Sequence, residues 1–387
     1  MMKDPLKGVR ILSLAEQYPG PLASMVLADL GADVILVERP NGGDPSRRFT
    51  GHFEALNRNK RSIVLDLKSV IGRKVFRSLI ATADVLMEGF RPGVMARLGL
   101  DADALRREFP ALIYTSISSF GHSGPLSPRG GHDLSMQGLA GFVSQGESPT
   151  PAAIPLADIA SAMYAAIGIT TALYARRSSG SGATIDVSML DCLVAWRSTA
   201  LVSSMNSLVP APYPPDDPGY GVFRVGDAGE LVTLSISGED HQWRELCLAL
   251  GLDTIAGLTT VEREQQAPAL RLLLEKAFRG RKLVDIESKL AASGVGIGRV
   301  NDSKSVVADP QIRARGIIVE VENSPGLRVV KQPIQFDGSS GVVRIRAPQL
   351  GEHTREIMSE LGVSDADIEA YAAAGGNVPP VIKRCEQ

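Results

Sequence analysis

Asp158 stands in Ile154-Pro-Leu-Ala-Asp158, directly before an apolar-periodic run from Ile159 to Arg177. Such a run predicts a helix. An aspartate at its start reads as an N-cap whose side-chain oxygen accepts from the first free N–H groups. The same position aims a carboxylate at the positive end of a helix, among donors that suit an anion. A structural cap and a chemically active acid are both open readings of this residue.

Two basic loops suggest an anionic ligand. The first is Glu38-Arg39-Pro-Asn-Gly-Gly-Asp44 with Arg47 and Arg48, and the second is Asn57-Arg-Asn-Lys-Arg61. Glycines let the backbone approach a ligand, and arginines supply charge and planar hydrogen bonding. A phosphate-rich ligand and two solvated loops remain alternatives. Neither loop is a P-loop or a Gly-x-Gly-x-x-Gly fingerprint. Phe90-Arg-Pro-Gly93 pairs an aromatic with an arginine, which suits a planar base or simply a turn with proline at a helix start. His132 lies in Gly131-His132-Asp133, with Asp133 a plausible helix cap. A lone histidine most often satisfies a buried partner. His52, His122, His241 and His353 show no metal-ligand spacing. There is no Gly-x-Ser-x-Gly elbow and no signal for a cysteine nucleophile. Gly294-Val-Gly-Ile-Gly298 reads as a tight turn.

The elements that must position these groups alternate. Val9–Leu14, Val34–Glu38, Ser62–Asp66, Asp84–Glu88 and Leu112–Ile117 read as strands, and Thr184–Ser188 as a further one. Helices are expected at Pro21–Leu30, at about Val70–Ala81 and Asp103–Arg107, and over Met189 to about Leu208. Repeated β-α-β order with nearly continuous apolar strands predicts an α/β fold with a parallel sheet covered on both faces, and ligands bind at the ends of such strands. A proline-rich linker is expected at 210–220, followed by a smaller α+β domain over 221–330 that opens on a hairpin. The large domain would then comprise 1–209 and a return segment, 331–387.

The chain of 387 residues is 44% apolar and 22% charged, with a formal net charge of -2. This is the balance of a soluble globular enzyme, without the electrostatic footprint of a nucleic-acid or acidic-membrane binder. Cys192, Cys247 and Cys385 are too sparse for a disulfide framework or a zinc site. The start lacks the apolar stretch of a signal peptide. The run around Met163–Ala175 is too short and too interrupted by threonine and glycine to span a bilayer, so a reducing cytoplasm is expected.

Taken in order, these segments carry a family resemblance. Leu27-Ala-Asp-Leu-Gly-Ala-Asp-Val34, Val37-Glu-Arg-Pro40, Gly43-Asp44, Asn59-Lys-Arg-Ser62 and Glu88-Gly-Phe-Arg-Pro-Gly-Val-Met95 are similar to segments of the family III (CaiB/BaiF) CoA-transferases. Ala157-Asp158, Asp186-Val-Ser-Met-Leu-Asp191 and Gly351-Glu-His-Thr-Arg-Glu356 extend the match nearly end to end. The family also contains α-methylacyl-CoA racemases. The resemblance implies a Rossmann-like large domain built from both termini, a smaller domain between, and an interlocked homodimer. It implies acyl-CoA and carboxylic acid substrates, with coenzyme A arriving as acyl-CoA and no tightly bound cofactor or metal. It places Arg39 at the nucleotide end of CoA, Phe90 and Arg97 along the same groove, and Gln17 and Tyr18 near the thioester. Leu65 and Gly89 are implied as backbone or apolar contacts.

In a transferase of this kind Asp158 would be the nucleophile of a covalent mechanism. In a racemase, His132 and Asp158 would form a proton-transfer pair on the α-carbon, supported by an acid to which Glu239 corresponds loosely. Two departures favour the transferase branch. The racemase segment continues Ile-Asn-Tyr where this chain has Leu134-Ser-Met136, and Asp186-Val-Ser-Met and Ser237-Gly-Glu-Asp-His-Gln-Trp243 look more like transferases. The glycine-rich flap of formyl-CoA transferases is not visible after the linker.

Overall fold

The computed structural model describes residues 4–144, 148–210, 215–227, 229–373 and 378. Residues 211–214 of the expected linker, and Cys385, lie outside the described residues. The chain forms two compact units, Met1–Ser198 with Arg315–Gln387, and Thr199–Ala314. The boundaries thus fall at 198/199 and 314/315. The first comes where the expected single helix over Met189–Leu208 is broken at Arg197 into Met189–Trp196 and Ser198–Met205.

The larger unit is built on a six-stranded sheet of order β3-β2-β1-β4-β5-β6. Its strands are β1 (Arg10–Ser13), β2 (Asp33–Glu38), β3 (Lys60–Val64), β4 (Val85–Glu88), β5 (Ile113–Ser118) and β6 (Thr184–Ser188). All neighbours run parallel. Alternating side chains point to opposite faces, which explains the continuous apolar runs. Ile11, Val34, Val85 and Ile113 enter one core layer, while Leu12, Ile35, Ile63 and Leu86 enter the other. Strand order reverses between β1 and β4, so a crevice opens at the carboxyl ends of these two strands.

Eight helices of this unit matter to the site. They are α1 (Pro19–Asp29), α2 (Thr50–Asn57), α3 (Val70–Ile80), α4 (Val94–Arg97), α5 (Ala102–Glu108), α6 (Asp133–Ala140), α7 (Leu156–Ser179) and α8 (Met189–Trp196). Contrary to the sequence-based expectation, α7 is long and apolar enough by length and composition to cross a membrane. Here its small residues Ala157, Ala160, Ala162 and Ala165 are fully buried in the first core layer, where the helix packs against α1 and the sheet.

The return segment seals the free edge of β3. Asn59 N–H donates to Ile345 O (3.0 Å), His353 N–H to Ser62 O (3.0 Å), and Gly351 N–H to Ser62 Oγ (2.9 Å). Ile357 and Met358 then enter the second core layer. Beneath this seam lies a buried ion pair, Arg58 to Asp29 at 2.7 Å. The same carboxylate accepts from Asn59 Nδ2 and from Gln332 N–H. Lys60 is fully buried beside it. Burial pushes its pKa well below the usual lysine range, yet Pro21 O, Leu56 O and Asn57 Oδ1 offer its Nζ three acceptors at 2.8–2.9 Å. Three acceptors match the three donors of an ammonium group.

In the smaller unit, β7 (Tyr220–Val225), β8 (Glu230–Ser235) and β9 (Ile297–Arg299) form an antiparallel sheet. The hairpin is as expected. The glycine run after residue 293 does not end as a tight turn: Ile297–Arg299 pairs with Val232–Leu234. Helices at Asp240–Leu250, Ala267–Arg279 and Leu283–Ala292 cover this sheet around the buried Trp243.

Candidate active site

Two clefts open at the switch point of the large sheet. The first, of about 160 Å³, is lined by the loop after β1, the turn after β4, the end of β5 and the starts of α6 and α7. The second, of about 350 Å³, is lined by the ends of β2 and β3, by Phe90, and by the short helix α4. Glu16 lines both. Gln17, Tyr18, Gly89, His132 and Asp158 come together in the first cleft. Arg39, Leu65, Phe90 and Arg97 come together in the second. Glu239 belongs to the smaller unit, where its carboxylate accepts from Ser237 N–H at 2.7 Å.

Asp158 is not the N-cap. Helix α7 starts at Leu156 after Pro155, so Asp158 occupies the third helical position. The capping carboxylate is Asp133, from another helix: its Oδ1 accepts from Ala157 N–H (2.7 Å) and its Oδ2 from Gln137 Nε2 (2.6 Å). His132, immediately before it, holds the N-cap position of α6 in extended backbone and makes no side-chain cap. One partly exposed carboxylate therefore ties together the starts of the two helices that carry His132 and Asp158.

Among the described residues the Asp158 carboxylate has no hydrogen-bond or ion-pair partner. Burial, and then the neighbouring Asp133 charge, push its pKa up to about 7, since both oppose a second anion there. Tyr18 feels the same two acids: burial first, then Asp158 and Asp133, raise its phenol above the ordinary tyrosine value. Two further carboxyls are displaced in the same direction. Burial pushes Glu16 up to about 7 against the opposing Arg39, whose Nε lies 3.9 Å away. Burial also pushes Glu88 up to about 7, although it accepts from Phe90 N–H at 2.7 Å. Of these acids Asp158 and Glu16 line the first cleft, and perturbed acids in a cleft are what a site for acyl or proton transfer requires.

The second cleft combines an apolar lining with Arg39, Arg97 and Lys68, the mixture that suits an aromatic ring carrying phosphates. Only part of the expected basic surface contributes to it. Arg47 is held by Glu38 (2.6 and 2.8 Å) and Pro348 O. The Asn57–Arg61 cluster runs into the first two residues of β3 and so lies at the amino end of that strand. Its charges are spent internally: Arg58 on Asp29, Lys60 on three oxygens, and Arg61 on Asp33, Glu356 and Glu360. That loop is therefore not a phosphate site. Lys68 lines the second cleft instead, and its position just after the carboxyl end of β3 is the signal that would have found it. Glu16 follows β1 in the same way. Cys192 and Cys247 are buried, and burial pushes their thiols up to about 12, far from the thiolate form.

Comparison with known proteins places this architecture. The family model described as "CoA-transferase family III" matches residues 6–354. The chain is 34% identical to a succinate–glutarate CoA-transferase of Agrobacterium fabrum, over 93% of this chain and 96% of that protein. It is 32% identical to the human alpha-methylacyl-CoA racemase, over 94% of this chain and 95% of that one. Among solved structures, a CaiB/BaiF family protein from Brucella suis superposes with a TM-score of 0.83 at 33% identity, covering 93% of this chain and all of that one (100%). With the family model spanning most of the sequence and a matching fold, the chain belongs to CoA-transferase family III.

Proposed function

We propose that this protein moves CoA from an acyl-CoA donor to a carboxylic acid acceptor through covalent intermediates on Asp158. The observation that carries the reading is an unpartnered, half-buried carboxylate in a small cleft, with a larger basic and apolar cleft sharing Glu16 beside it. Arg39, Arg97 and Phe90 would hold the nucleotide end of CoA, with Leu65 against it. Gln17, Tyr18 and Gly89 would face the thioester.

The sequence of bonds is then as follows. Asp158 attacks the thioester carbonyl, CoA thiolate leaves, and a mixed anhydride forms. The thiolate attacks the Asp158 carbonyl of that anhydride, releasing the donor carboxylate and leaving an aspartyl-CoA thioester. The acceptor carboxylate attacks this thioester and expels the thiolate, which then takes the acceptor acyl group and frees Asp158. No proton is gained or lost overall. The cycle needs Asp158 ionised, so activity should rise with pH through about 7. Removing the Asp133 charge in Asp133→Asn should move that acid limb to lower pH, while the amide oxygen still caps Ala157 N–H. A pH–rate profile that does not move would show that Asp133 does not set this ionisation.

A second reading rests on His132 and Asp158 sharing the first cleft. In it the two side chains exchange a proton with the α-carbon, one removing it and the other returning it on the opposite face. One incubation separates the two. An acyl-CoA kept in deuterated water without acceptor should show no rapid α-deuteration, and hydroxylamine should inactivate the enzyme at Asp158 only in the presence of donor. Rapid α-deuteration with CoA retained on the same acyl group would sink the transferase reading.

We also propose a homodimer with interlocked chains, acting in the cytoplasm. Its support is the apolar surface left open on the mutually packed helices α6, α7 and α8. Leu139, Ile167, Tyr174 and Trp196 are 58%, 59%, 76% and 44% exposed, more than isolated surface residues account for.

A further inference from the structure

Gln17 lies in the first cleft with φ +69°, in the left-handed region that non-glycine residues avoid. Such strain persists only where neighbouring groups over-determine it. Both peptide groups of Gln17 are held. Its N–H donates to both oxygens of Asp44, at 3.2 and 3.0 Å, and its carbonyl accepts from His52 Nε2 at 3.1 Å. The His52 ring also meets the Tyr18 ring edge-on, centroids 5.3 Å apart. Asp44 is itself buried and fixed, accepting from Ser46 N–H at 2.7 Å and donating its own N–H to Glu38. Glu38 is gripped by Arg47 and by Ser62, whose Oγ accepts from Gly351 N–H. Gly43 has no alternative here, since a Cβ would come within 2.5 Å of Glu38 Oε1 at a φ of +63°.

We infer that Asp44, aided by His52, is a positioning residue that clamps Gln17 in its left-handed conformation and so aims the Gln17–Tyr18 turn into the acyl cleft. This rests on the CoA-transfer reading above. Asp44 does not touch substrate; it acts through the backbone of Gln17. A carboxylate suits the task because it accepts the Gln17 and Ser46 N–H groups together, and charge-assisted bonds of this kind are the strong ones. Released from the clamp, Gln17 would relax to negative φ and swing Tyr18 out of line with Asp158. Leu65, Phe90 and Arg97 of the second cleft stand on other elements and would keep their grip on the nucleotide.

The test is Asp44→Asn, which keeps shape and one acceptor but turns a donor toward the Gln17 N–H. It should lower kcat by about 10- to 100-fold while KM for acyl-CoA changes by less than about threefold. In a Gln17→Gly background the left-handed backbone comes without strain. There Asp44→Asn should cost less than about threefold more, a non-additivity that a merely structural role would not produce. Equal cost in both backgrounds, or unchanged kcat, overturns the clamp. Amide hydrogen exchange gives a readout independent of turnover: Asp44→Asn should speed exchange at Gln17 by about tenfold or more, with α1 and β1 still protected. Unaltered protection at Gln17 also overturns it. If the wild-type protein transfers no CoA, the functional reading fails, and the exchange result alone decides the clamp.

Discussion

Asp158→Asn is expected to lose on the order of 10⁴-fold or more in kcat and, above neutral pH, to be more stable than the parent protein. The first effect follows from removing the carboxylate proposed to form and release the anhydride; an amide at the same place does neither. The second follows from the environment of Asp158. Its folded pKa is about 7 against an ordinary value of 3.8. Between these values the folded protein holds a proton that the unfolded chain has released, so stability falls as pH rises through this window. The whole penalty is present above about pH 7. At about 1.4 kcal/mol per tenfold change in ionisation constant, it amounts to at most about 4 kcal/mol. Asparagine never ionises, so the gain should appear in melting curves at pH 8 and vanish near pH 3.5. Equal melting temperatures at both pH values would mean that Asp158 is not strained in the folded protein.

Arg58→Met should destabilise the larger unit by about 3–5 kcal/mol. The guanidinium and Asp29 are 1% and 0% exposed. Methionine fills much of the volume but leaves a buried carboxylate whose remaining donors are Asn59 Nδ2 and Gln332 N–H. An exposed ion pair would cost under about 1 kcal/mol by the same substitution, so urea unfolding distinguishes the cases. The double change Asp29→Leu with Arg58→Met should recover part of the loss, because no uncompensated charge then remains. A loss below about 1 kcal/mol in Arg58→Met would show that water reaches the pair.

How far the sequence is legible depends on the range of the interactions. β1 to β5 were readable because their runs are apolar on both faces and α3 because its period is clean. The grouping of Gln17 and Tyr18 with Asp158, and of Arg39, Phe90 and Arg97 in the other cleft, follows from family resemblance, whereas the placing of His132 beside Asp158 does not. What was not readable was non-local. Nothing in Ile154–Asp158 says that the cap on α7 comes from Asp133, 24 residues away. The misplaced phosphate loop at Asn57–Arg61 had the right composition at the wrong end of its strand. Its partners Asp29, Asp33 and Glu360 are distant in sequence. The three-residue strand Ile297–Arg299 is too short and glycine-broken to carry a period-two signal.

The seam between β3 and residues 345–354 also orders events during synthesis. The smaller unit, Thr199–Ala314, leaves the ribosome complete before the segment that closes the larger one exists. Until then the growing chain carries an open strand edge, the kind of surface that pairs with other chains. Ser62, whose hydroxyl steadies Glu38 and through it the Asp44 turn, also lacks its Gly351 donor until that moment. A polypeptide interrupted before this point would keep that strand edge unpaired and Ser62 without its Gly351 donor.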